Sequence, residues 1–228
     1  YGGYYSKKQI KEIVEYAKKR HIKVIPEIEL PGHSQAAIAS YPNLSCKQKP
    51  IKVANDWGVF KEIYCAGNDS VFIFIEDVLN EVVELFPSNL VHIGGDEAPK
   101  FRWENCPKCQ KRIKNEGLKD EHELQSYFIE RIANILASKN KTIIGWDEIL
   151  ESEIKTDAIV QSWRGFEGGI KAVKSGKKAI MSPTSNAYFD YSISTTDLEK
   201  VYSFNPIPKG LNPKEQKLII GGECNLWS

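Results

Sequence analysis

Apolar residues recur along the chain in two alternating periods. Ser6 and Gln9 have the spacing of a capping box, and Ile10, Ile13, Val14 and Ala17 behind them share one helical face. A β-branched run at residues 22–28 predicts a strand, although Pro26 within it has no amide hydrogen to give a ladder. A polar stretch from 41 to 69 predicts a long loop. Phe72, Ile75, Val78, Leu79, Val82, Val83 and Phe86 then mark an amphipathic helix that stops before Pro87. Residues 90–93 predict a short buried strand running into Gly94-Gly95. Leu124, Phe128, Ile132, Ile135 and Leu136 predict a second long helix, and further strands are expected at 142–146, 158–163, 178–182 and 218–221.

Six strands alternating with helices argue for parallel βαβ units, in an α/β sheet or barrel. No linker or short repeat interrupts the pattern, so residues 1–228 are expected to form one domain with no second one. The strand ends are where the polar and aromatic residues gather. Glu27 and Glu29 follow the first, Asp96 and Glu97 the second, and Trp146, Asp147 and Glu148 the third. Trp163, then Tyr188 and Asp190, then Glu223 and Trp227 follow the others. Chemistry at the C-terminal ends of successive parallel strands is the layout of a (β/α)8 TIM barrel. An open doubly wound sheet usually carries a Gly-rich phosphate loop, and neither GxGxxG nor GxxxxGK[ST] occurs.

Composition adds exclusions. Thirty-one basic and thirty acidic residues leave a formal charge of +1, which gives no electrostatic footprint for nucleic acid. The longest apolar run, residues 71–75, is far too short for membrane insertion. Oligomeric state is not legible. Among five cysteines, Cys46 and Cys65 lie in the polar loop and could pair, which favours an oxidising compartment. Cys106, Cys109 and His122 start like a zinc site, but no second half follows. A loop disulfide or surface thiols are expected there instead, with no metal, and Cys224 reads as a buried small hydrophobe.

Carboxylates among tryptophans, with no phosphate loop, suit a carbohydrate. Indole faces pack on the apolar C–H faces of sugar rings, and carboxylates bind hydroxyls or move protons. Asp96 and Glu97 are adjacent, so they cannot straddle a glycosidic bond as nucleophile and acid. In isolation the pair would read as a solvated helix N-terminus.

The segment His92-Ile93-Gly94-Gly95-Asp96-Glu97 resembles the HxGGDE signature of glycoside hydrolase family 20, the β-N-acetylhexosaminidases. Pro26-Glu27-Ile28-Glu29-Leu30-Pro31-Gly32-His33 is similar to that family's PEIDxPGH segment, with Glu29 where Asp is usual. Gly145-Trp146-Asp147-Glu148, Gln161-Ser162-Trp163-Arg164-Gly165, Tyr188-Phe189-Asp190 and Gly222-Glu223-Cys224-Asn225-Leu226-Trp227-Ser228 match further blocks in the family's order. Together these blocks cover essentially the whole chain.

The resemblance implies retaining hydrolysis of terminal N-acetyl-β-D-hexosamine, with the substrate's own 2-acetamido oxygen as the nucleophile. It makes Glu97 the general acid and then base, and makes Asp96 the partner of the acetamido N–H. Tyr188 would aim the acetamido oxygen, Trp146, Trp163 and Trp227 would wall the pocket, and Asp190 would bind sugar hydroxyls. His33 and His92 would support the acidic pair. A glycan containing N-acetylglucosamine or N-acetylgalactosamine is the implied partner, with no cofactor, in a secreted, periplasmic or lysosome-like compartment. The competing reading is a non-catalytic sugar-binding barrel, which would be expected to lose the acid that this chain keeps. Aligned by motif, the chain starts before the third barrel strand and stops just after the eighth. The family's hydroxyl-gripping arginine is expected outside it, as are the carboxylate one residue past the final Trp-Ser and the small α/β domain that often precedes the barrel. A barrel without two strands exposes sheet edges, so the chain is expected to be part of a longer protein.

Overall fold

The structure, a computed structural model, describes residues 3–227. Helix α1 (Lys7–Lys18) starts on the expected capping box: Gln9 N donates to Ser6 Oγ at 3.3 Å, and Ser6 N donates to Gln9 Oε1 at 2.8 Å. Strand β1 is Glu27–Leu30, not 22–28. Pro26 is the boundary: its carbonyl accepts from His92 N at 2.9 Å, but it has no N–H with which to continue the ladder backwards. Next come α2 (Gln35–Ser40), the expected loop, and α3 (Asp69–Leu85), which is capped by Asn68 and ends before Pro87. Strand β2 (Leu90–Gly94) leads into two short helices, α4 (Phe101–Glu104) and α5 (Pro107–Glu116), and the long α6 (Glu121–Ala137). Strands β3 (Thr142–Trp146) and β4 (Ala158–Ser162), helix α7 (Glu167–Lys174) and strand β5 (Lys178–Met181) follow. Short helices α8 (Thr184–Ala187), α9 (Leu198–Tyr202) and α10 (Pro213–Gln216) precede β6 (Ile219–Gly222).

All six strands pair in parallel, in sequence order β1-β2-β3-β4-β5-β6. One face carries Val91, Ile93, Ile143, Val160 and Ala179, which join Phe72, Leu79, Phe128 and Ile132 of α3 and α6 in the main core. The intervening positions, His92, Ile144, Trp146 and Gln161, point the other way. That second face is concave. Trp146 at the end of β3 lies 6.1 Å, ring to ring, from Trp227 just past β6, whereas three flat strand spacings would separate them by roughly 14 Å. Curling of sequential parallel strands with helices outside is the TIM-barrel arrangement, of which six strands are present here. No helix among the described residues is long and apolar enough to cross a membrane.

Candidate active site

The acidic pair owes its position to the two glycines before it. Gly94 and Gly95 have φ of +68° and +101°, and a Cβ at either would fall 2.2 Å from Glu29 Oε2 or 2.5 Å from Ile149 Cγ2. Only glycine allows the chain to turn so tightly there, between the ends of β1 and β3. Gln125 of α6, itself buried, holds the turn by donating to Gly95 O at 2.8 Å. The turn delivers Asp96 and Glu97, the latter with φ of +43°, a strained conformation of the kind that clusters at functional sites.

His33, past the end of β1, reaches both. Its Nε2 is 3.3 Å from Asp96 Oδ2 and 3.4 Å from Glu97 Oε2. The bond to Asp96 and the surrounding carboxylates push the imidazole up to about 9, so it is a cation at neutral pH. Glu29 sits deeper. Burial, then the charges of Asp96 and Glu27, push it up to about 8, so it holds a proton at neutrality.

Opposite these groups the aromatic residues form a continuous wall. Trp146 packs edge-on against Trp163 at 6.4 Å, and Trp163 packs on Tyr188 at 6.3 Å. Tyr188 is brought in by a parallel bridge to Asn225, with Phe189 N donating to Asn225 O at 2.8 Å. Burial pushes the Tyr188 phenol up, so it is a hydrogen-bond donor at any ordinary pH. Trp163 is fixed from behind, donating from Nε1 to Glu148 Oε2 at 2.9 Å, while Asp147 Oδ2 accepts from its backbone N at 3.0 Å.

Together these residues enclose a cavity of about 380 Å³ at the C-terminal ends of the strands. Eight of the nine sequence-derived candidates line it: His33, Asp96, Glu97, Trp146, Trp163, Tyr188, Asp190 and Trp227. The ninth, His92, lies behind the wall. Its ring packs edge-on against Trp146 at 5.0 Å, and its Nδ1 is 2.9 Å from Glu27 Oε1, so it contacts the wall and not the cavity. Three lining residues were not among the candidates: Glu29, Trp57 and Tyr191. Glu29 carried the strand-end signal. Trp57 lies in the aperiodic loop and gave none.

Two groups of side chains could hold a metal ion. One is His33, Asp96 and Glu97, whose polar atoms already pair with one another. The other corrects the sequence reading: Cys46 and Cys65 do not form a separate pair but meet Cys106 and Cys109 in one cluster. The CxxC cysteines are buried, not surface thiols, because they pack beneath the loop. His122 is elsewhere, with Nδ1 2.9 Å from Glu151 Oε2. Cys224 is exposed, because it lies beyond the last strand and not within it.

A curled parallel sheet with acids facing an aromatic wall at its C-terminal rim places the chain in the class of TIM-barrel domains whose site lies at that rim. The chain belongs to glycosyl hydrolase family 20, whose catalytic-domain model matches residues 1–228. It is 48% identical to a β-hexosaminidase of Porphyromonas gingivalis, over 100% of this chain and 31% of that protein. It superposes on the chitobiase of Flavobacterium johnsoniae with a TM-score of 0.90 at 34% identity, covering 98% of this chain and 35% of that one. It is also similar to an exo-β-N-acetylglucosaminidase of Vibrio harveyi in complex with N-acetylglucosamine, with a TM-score of 0.86, 29% identity, and coverage of 100% and 38%. The chain thus spans about a third of the length of these relatives.

Proposed function

We propose that the protein containing this chain removes terminal, non-reducing N-acetyl-β-D-hexosamine residues from glycans or glycoconjugates, with retention of configuration. The observation that carries this reading is the acidic pair facing an aromatic wall across one sugar-sized cavity. Trp146, Trp163 and Trp227 pack against the acetamido methyl and the sugar's C–H faces. Tyr188 donates to the acetamido oxygen and aims it at the anomeric carbon, so the nucleophile is delivered by the substrate itself. Asp96 accepts from the acetamido N–H and stabilises the positive charge that develops as the oxazolinium ring closes. Glu97 protonates the leaving oxygen, then takes a proton from the water that opens the ring. His33 holds the two carboxylates in register, Asp190 binds sugar hydroxyls, and His92 backs the wall through Trp146.

The V. harveyi neighbour, described with N-acetylglucosamine, supports the same sugar class for this cavity. The test is hydrolysis of an aryl N-acetyl-β-glucosaminide and its galactosaminide by the full-length protein, with and without a thiazoline mimic of the oxazoline. Turnover blocked by the thiazoline is the expected result. A folded protein that binds N-acetylglucosamine without turnover would instead make this a sugar-binding barrel.

A further inference from the structure

Away from the catalytic cavity, two loops meet at a cluster of sulfur atoms. Cys46 and Cys65 come from the loop between α2 and α3, where Ser45 and Tyr64 form an antiparallel bridge and Cys65 N donates to Leu44 O at 2.9 Å. Cys106 caps the N-terminus of α5 and Cys109 lies in its first turn, with Pro107 between them. The four sulfurs all lie within 4.8 Å of one another. The separations are 3.7 Å for Cys46–Cys109, 3.7 Å for Cys65–Cys109 and 3.8 Å for Cys65–Cys106.

These distances discriminate between chemistries. A disulfide brings two sulfurs to about 2.0 Å, and all five cysteines are free. Four thiolates around zinc at about 2.3 Å stand at the corners of a tetrahedron with edges of about 3.8 Å. The three separations of 3.7–3.8 Å match those edges, and the remaining pairs lie within 4.8 Å. Soft, all-sulfur, tetrahedral sites select zinc or iron among biological metals. We propose that Cys46, Cys65, Cys106 and Cys109 are the four ligands of one structural zinc ion, which clamps the loop carrying Trp57 to the segment that follows Asp96 and Glu97.

The surroundings suit a thiolate cluster. Cys65, Cys106 and Cys109 are buried and Cys46 is half-buried, so the sulfurs are largely shielded from water. The positive end of α5 lies at Cys106. Gly67 permits the close approach, since a Cβ there would stand 2.2 Å from the carbonyl carbon of Lys108. On binding, each thiol still protonated gives its proton to solvent and its sulfur lone pair to the metal; nothing is oxidised.

The test uses the full-length protein, purified under reducing conditions without chelators. Elemental analysis is expected to find about one zinc per chain, and zinc-edge X-ray absorption a shell of sulfur alone at about 2.3 Å. Cys106→Ser should lower the zinc content by at least about tenfold, whereas Cys224→Ser should leave it unchanged. Should Cys106→Ser fail to fold, mass mapping of the four cysteines in the wild-type protein decides independently. Four reduced cysteines with bound zinc support the site. Disulfides among them, iron in place of zinc, or four thiols that retain no zinc after dialysis against it would each overturn the proposal.

Discussion

Trp146 on β3 donates from Nε1 to Glu27 Oε1 on β1 at 3.2 Å, reaching across the intervening strand. His92 fills the space beneath, bonded to the same carboxylate oxygen at 2.9 Å and packed edge-on against the indole. The rear of the cavity is therefore set by three mutually contacting side chains from three adjacent strands. His92→Phe keeps the ring volume but leaves Glu27 without its imidazole partner. A loss of about 1–3 kcal/mol in stability, read from the denaturant midpoint of the full-length protein, is the expected outcome. An unchanged midpoint would show that the pair is not coupled to folding.

Glu97→Gln removes the transferable proton but not the shape of the side chain. Substrates with poor leaving groups are expected to lose about 10²–10⁴-fold in kcat, while activated aryl glycosides, which need less protonation, lose much less. An equal loss in both classes would assign Glu97 some role other than acid.

In the proposed mechanism Asp96 faces the developing oxazolinium, and Asp96→Asn removes its charge. A loss of about 10²–10³-fold in kcat is expected, with the free-protein fold intact by circular dichroism. The same chemistry predicts that the wild-type protein fails to cleave the 2-hydroxy analogue. Comparable rates on both sugars would end the substrate-assisted reading.

His33 binds its proton more tightly in the folded state, at about 9 against 6.5 for an unperturbed imidazole. Its stabilisation is thus complete below about pH 6.5 and disappears as pH rises towards about 9. The stability difference between wild type and His33→Gln should accordingly shrink over that window. Glu29, raised to about 8 from 4.5, acts in the same direction over the window between those values, so a Glu29→Gln background separates the two contributions. A difference that stays flat from pH 6 to 9.5, with the His33 ring resonance titrating near 6.5, would contradict the ion pair with Asp96.

Much of this was written locally. The capping box at Ser6, the periodicity of α3 and α6, and the glycine pair before Asp96 each act within a few residues, so the sequence alone placed them. Short apolar runs and strand-end polarity located all six strands, five of them to within a residue at either end; β1 runs Glu27–Leu30 where 22–28 was expected, because Pro26 stops it. His33 was legible through its motif. Other features were not, because they depend on which strands become neighbours. Nothing local tells Trp57 that it borders the cavity, and nothing local brings Tyr188 beside Trp163. The cysteines show the divide most sharply: Cys106 and Cys109 announced half a cluster, but Cys65 lies 41 residues from Cys106, and Cys46 lies 63 from Cys109. Hydrophobic periodicity determines which elements form and which faces they bury. Only the curling of the sheet, driven by burial of its outer face under the helices, decides which distant loops share a rim.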